Sequence, residues 1–144
     1  MTEIERTELF YDLSRHLVRL ERYRRRFLDE KLEDYGITGS MYRYILKLYR
    51  NPGISQDQMA DYMCVDKSHV ARVVRKLEDM GLIYRQEDQQ DRRANKLFLT
   101  ERGQQVRQPI LDQMYAWSEI ITKSVSLEDI ALVNAILEKI LKDI

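Results

Sequence analysis

Between Lys67 and Leu77 the chain places Lys67, Arg72, Arg75 and Lys76, with Ser68 and His69 among them, and no acid. The chemistry open to such a set is pairing with anions and hydrogen bonding to polar edges, not bond making. A second group lies in DQQDRRANKLFLTERG, residues 88 to 103, where Asp91, Arg92 and Arg93 occupy a short polar stretch before an alternating apolar run. The formal net charge of zero hides both groups. Residues 36 to 103 carry 12 basic and 9 acidic side chains, whereas residues 1 to 35 carry 8 and 9, and residues 104 to 144 carry 4 and 6. A local field acts on a partner at short range whatever the distant balance, so arguments about partners start in the middle third.

Catalysis is not expected. There is no glycine-rich phosphate loop, no set of paired metal ligands and no nucleophile with a base at a telling spacing. His16, His69 and Cys64 are the only soft ligands, too few for a dedicated zinc site, and no cofactor is implied. A single cysteine cannot form an internal disulfide, which agrees with a reducing compartment. No apolar run approaches the roughly 20 residues of a membrane span, and MTEIERTELF is too charged for a secretory signal. A cytoplasmic protein with no membrane partner is expected.

The elements that must position these groups are mostly helical, as scarce glycine (5) and proline (2) suggest. From about Glu5 to Leu32, Leu9, Leu13, Leu17, Leu20 and Phe27 recur at helical spacing, and Gly36 is expected to end that helix. Thr38 is expected to cap a second helix with Met41, Ile45 and Leu48 on one face, broken by NPG at 51 to 53. Ser55, three residues before Gln58, has capping-box spacing for a short third helix. Asp66 is a candidate cap for a fourth, KSHVARVVRKLEDM, with Val70, Val73 or Val74, and Leu77 inside and Gly81 at its end.

Two short helices in succession, the second basic on its outer face, match a helix-turn-helix. GLIYRQ and NKLFLT flank the polar turn as two strands of a hairpin. Helix-turn-helix plus hairpin predicts a winged helix, mainly α with one small β-hairpin. Thr100 is expected to cap a fifth helix carrying Val106, Ile110, Met114, Trp117 and Ile121, bent at Pro109. Ser126 with Asp129 is expected to cap the last. There Ile130, Val133, Leu137, Ile140 and Ile144, with Leu132, Ile136 and Leu141, form an apolar arc too wide to face water.

Asp91, Arg93, Leu97, Leu99, Thr100 and Gly103 meet a wing signature of Asp, any residue, Arg, three residues, Leu, one residue, Leu-Thr, two residues, Gly. With GITGSMYRYILKLYRNPGISQDQMADYM before it and VDKSHVARVVRKLEDMGLI between, nearly the whole chain resembles the multiple-antibiotic-resistance-regulator (MarR) family of winged-helix transcription factors. The resemblance implies a homodimer interlocked through the first, fifth and sixth helices. Residues 1–35 and 104–144 would form the dimerisation region and 36–103 the DNA-binding region. It implies double-stranded DNA with a palindromic operator as partner, and a repressor relieved by a small apolar or phenolic effector. It puts Arg93 in the minor groove, with Asp91 able to hold it and Arg92 nearer a phosphate. Lys67, Ser68, His69 and Arg72 would reach base edges, while Arg75 and Lys76 lie where phosphate contact and plain solvation are both open.

The effector cleft of such proteins is bordered by helices carrying Tyr11, Tyr42 and Tyr115. Tyr11, His16, Tyr42 and Trp117 are therefore candidate effector contacts, against the plainer reading of core, interface or structural residues. RYRRRF, residues 22 to 27, reads as a solvated or dimer-facing surface, with contact to an anionic ligand left open. Cys64 reads as a small buried hydrophobe, with a cysteine-based redox switch as the alternative. A winged-helix protein-interaction module is the other competing function, and the acid-free basic face of the fourth helix argues against it.

Overall fold

The computed structural model describes residues 1–87, 89–91 and 95–144. Helix α1, Glu3–Lys31, starts at a capping box in which Thr2 and Glu5 satisfy each other's main-chain N–H groups. Its end lies within one residue of the expected Leu32, but Gly36 does not close it directly. The helix stops at Lys31, and a separate 3-10 turn, Glu33–Tyr35, follows before Gly36 closes the turn in a left-handed conformation. Helix α2, Met41–Arg50, has Ser40, not Thr38, at its cap position, with no side-chain cap bond. Thr38 fails as the cap because its hydroxyl and N–H both point at the Met41 sulfur.

Helix α3, Gln56–Met63, has the Ser55/Gln58 capping box, and helix α4, Lys67–Asp79, has Asp66 as its cap. Val70, Val74 and Leu77 are the buried residues of α4, which settles the choice between Val73 and Val74. Strand β1, Ile83–Glu87, pairs antiparallel with β2, Asn95–Leu99, with Ile83 opposite Leu99 and Tyr84 stacked on Phe98. Residues 53–55 add to the outer side of β2: Gly53 N–H donates to the Leu97 carbonyl and Leu97 N–H to the Ile54 carbonyl, both at 2.9 Å. The start of α3 is thereby tied to the hairpin.

Helix α5, Glu101–Ile121, begins at Thr100 and runs through Pro109 without a break, and α6, Leu127–Lys142, begins at the Ser126/Asp129 capping box. One core unites these parts: Leu28 from α1 and Leu32 just after it, Tyr44, Ile45 and Leu48 from α2, Met59 from α3, the three buried residues of α4, Leu97 from β2 and Ile110 from α5. Nothing in α6 belongs to it; Leu132, Ile136 and Leu141 are 60, 48 and 69% exposed. No helix among the described residues is long and apolar enough to cross a membrane.

Candidate nucleic-acid interface

Helix α4 has to be held by one side and free on the other. Val70, Val74 and Leu77 provide the first condition, each fully buried. At 3.6 residues per turn Ser68, Arg72 and Arg75 then fall on the opposite side, and all three are exposed. They form the crest of the helix. His69 is set lower: it is half-buried and, with Val73 and Lys76, walls a cleft against the start of α2. Lys67 lies on the other flank, its ammonium 3.2 Å from Asp57 of α3.

Asp66 organises the first turn. Its Oδ1 accepts the Ser68 hydroxyl at 2.7 Å and the His69 main-chain N–H at 2.8 Å. These bonds, the Ser68 hydroxyl first, hold its carboxyl below the usual Asp range. The ionised carboxylate sits at the N-terminus of the helix it caps, where it offsets the positive end of the helix dipole.

The wing is joined to α4 by an ion pair between Arg85 of β1 and Glu78. Of the wing candidates, Asp91 is exposed, while Arg92 and Arg93 lie outside the described residues. The rest of the wing signature is structural. Leu97 and Leu99 are buried, and the Thr100 hydroxyl donates to the Gly81 carbonyl at 2.6 Å while accepting the Gly103 N–H at 3.0 Å. A Cβ on Gly103 would sit 2.0 Å from the Leu82 carbonyl oxygen, so only glycine lets α5 pack against the turn between α4 and β1.

This arrangement, a capped helix with a basic crest, tied by an ion pair to a two-stranded wing, matches known proteins along most of its length. The family model described as MarR family matches residues 37–94. YybA, an HTH-type transcriptional regulator of Bacillus subtilis (strain 168), is 31% identical over 114 residues, 79% of this chain and 76% of that protein. The crystal structure of a MarR transcriptional regulator from Methanosarcina mazei Go1 superposes with a TM-score of 0.85 at 31% identity, covering 92% of this chain and 96% of the other. The chain belongs to the MarR family. It is a DNA-binding transcriptional regulator, not an enzyme. A mutant MarR from E. coli complexed with operator DNA has the same fold, with a TM-score of 0.82 at 20% identity over 90% of this chain and 94% of that one.

The effector candidates of this MarR-family chain divide into two pairs. Tyr42 is buried, with the Arg24 guanidinium 5.3 Å from its ring centroid, and Trp117 packs on Phe27 at 5.6 Å between centroids. Arg24 and Phe27 are one turn apart, so these two rings meet the same part of α1. Tyr11 and His16 lie in the first half of α1, where both are exposed, and no contact among the described residues joins them to Tyr42 or Trp117. His16 is thus not on an inner face of this chain.

Cys64 overturns the expectation of a buried hydrophobe. It is exposed and ends α3 in a left-handed conformation, φ 53°. The turn into α4 needs that conformation, which carries the side chain outward. Sequence reasoning also missed Arg25 and Asp29, which line the His69 cleft. The signal was present in RYRRRF, but which of its arginines faces α4 depends on the turn between α1 and α2.

Proposed function

We propose that this regulator binds a palindromic operator as a homodimer and acts as a repressor released by a small apolar or phenolic effector. The observation that carries the DNA contact is the crest of Ser68, Arg72 and Arg75, exposed along the side of α4 opposite its buried anchors. A helix held in this way presents side chains to a major groove, while His69 and Lys67 are available on its flanks. Arg93, with Asp91 and Arg92, is the proposed wing contact in the minor groove.

Dimerisation is supported by two uncovered apolar surfaces. In α6, Leu127, Leu132, Val133, Ile136, Ile140 and Leu141 are all exposed, and in α1 Leu9, Leu13, Leu17 and Leu20 are at least 40% exposed. A second copy would cover both, making residues 1–35 and 104–144 the dimerisation region and 36–103 the DNA-binding region. Two recognition helices then meet half-sites about 34 Å apart. The Arg24–Tyr42 and Phe27–Trp117 contacts, where α1 meets α2 and α5, support an effector seat at the junction of the two regions. Tyr11 and His16 enter that seat only if the second copy brings them there. A cytoplasmic location accords with such a role.

Selection from a randomised duplex library, followed by footprinting, tests the reading. A two-fold symmetric footprint is expected. Arg72→Ala should flatten preference at defined positions, because each good base contact discriminates by about 1–3 kcal/mol, while Arg93→Ala should lower affinity with preference largely kept. A footprint without symmetry, or light scattering that returns a monomer at micromolar concentration, would sink the dimeric model.

A further inference from the structure

The arginine run at residues 22 to 27 has no part in the crest of α4 or the wing. By helical spacing Arg22, Arg25, Arg26 and Asp29 share one face of α1, opposite the stripe of Leu13, Leu17 and Leu20. They therefore point away from the stripe that calls for an apolar partner.

Arg25 lies between Asp29 and the turn at Gly39. Its Nε lies 4.0 Å from Asp29 Oδ2, while Asp29 Oδ1 accepts the Gly39 N–H at 2.6 Å. Its Nη2 lies across the turn into α2, 3.1 Å from where a Cβ on Gly39 would stand. A side chain at Gly39 would crowd the guanidinium, and its φ of +59° suits glycine in any case. The Asp29 carboxylate is at ion-pair distance from Nε, and the Arg25 side chain remains 64% exposed.

Two clefts meet at Arg25. The first, about 230 Å³, also has Ser40, His69, Val73 and Lys76 in its walls. The second, about 640 Å³, holds Arg22 and Arg26, with Glu30 and Glu33 also in its wall. Asp29 and Thr38 belong to both. Arg25 and Lys76 thus set two cations beside the His69 flank of α4, whereas the second cleft balances Arg22, Arg25 and Arg26 against Asp29, Glu30 and Glu33. The Asp29 carboxylate accepts the Gly39 N–H and is at ion-pair distance from Arg25.

We infer that Arg25, with Lys76 beside it, is a third DNA contact that grips a phosphate next to the base pairs read by α4. The inference rests on the operator-binding reading above. A helix seated in a groove has sugar-phosphate backbone along its flanks, and an exposed guanidinium beside such a helix is placed to meet it. The contact positions the protein and reads no base.

Salt titrations of binding test this, on the duplex selected from the randomised library and on an unrelated duplex of equal length. One phosphate contact per protomer contributes about 0.9 to the slope of log K against log salt, so Arg25→Ala should lower the slope by about 1.8 per dimer on both duplexes. Arg25→Lys should restore most of it, Lys123→Ala should leave it unchanged, and base preference should stay as in the unmodified protein. Arg25→Gln gives a second route if the alanine variant is not a folded dimer by circular dichroism and sedimentation. An unchanged slope in Arg25→Ala or Arg25→Gln overturns the inference, as does a change of preference at one base pair. If slopes match but benzoate or inorganic phosphate releases DNA from the unmodified protein and not from the Arg25 variants, the cleft is a small-anion site and the inference falls. Failure of the unmodified protein to prefer any duplex would instead remove the operator reading itself.

Discussion

The Asp66 carboxylate accepts the main-chain N–H of His69 at 2.8 Å, so the helix bearing the basic crest is closed at its start by its own acid. Because its carboxyl titrates below the ordinary Asp value, this cap stabilises the fold above the unfolded pKa of about 3.9 and loses that effect as pH falls through the folded value. Asp66→Asn keeps a capping side chain that does not titrate. Its stability should fall less steeply on acidification below about pH 4 than that of the unmodified protein, with Glu5 and Asp129, also lowered, supplying the slope that remains. Urea melts at pH 3 and pH 6 measure this, and equal slopes for the two proteins would show that the cap is not the titrating group.

Gly103→Ala should destabilise by about 3 kcal/mol or more, since the new methyl would stand 2.0 Å from the Leu82 carbonyl and main chain cannot yield as a flexible side chain does. A urea midpoint within error of the unmodified protein would mean that α5 shifts at little cost.

Cys64→Gly should stabilise by about 1 kcal/mol, because a left-handed residue without a Cβ is relieved of the clash with its following carbonyl. In the unmodified protein the exposed thiol should react with an aromatic disulfide reagent without denaturant. A thiol that reacts only after unfolding would contradict its outward position.

Tyr44→Phe should leave stability unchanged or raise it by about 1 kcal/mol. The ring is fully buried in the core, its hydroxyl has no hydrogen-bond partner among the described residues, and burial pushes its ionisation upward. Deleting an unsatisfied polar atom removes a desolvation cost and little packing. A lowered thermal midpoint would reveal a hydrogen bond made by that hydroxyl in solution.

Most of the elements were legible because their signals are local. Ser55/Gln58, Asp66, Thr100 and Ser126/Asp129 each act within four residues, and all four helix starts stand where those residues put them. The exposed crest of α4 follows from periodicity in the same way. Thr38 misled because a hydroxyl before a helix is an ordinary cap signal, and only the Met41 sulfur beside it turns it elsewhere.

Cys64 and Arg25 show where local signals end. An apolar neighbourhood in sequence made Cys64 look buried, yet it closes α3 in a left-handed conformation and its thiol is exposed. Arg25 is one of three consecutive arginines with nothing in its type to distinguish it. Asp29, ten residues before Gly39, and His69 and Lys76, far along the chain, come to share a cleft with it only after α1, α2 and α4 have packed. Caps, periodicity and signature residues set which elements form and which family the chain joins, because those depend on bonds between near neighbours. Which charged side chains share a surface depends on how the helices cross, and that is decided by the packing of Leu28, Ile45, Met59, Val74 and Ile110 in the core they have in common.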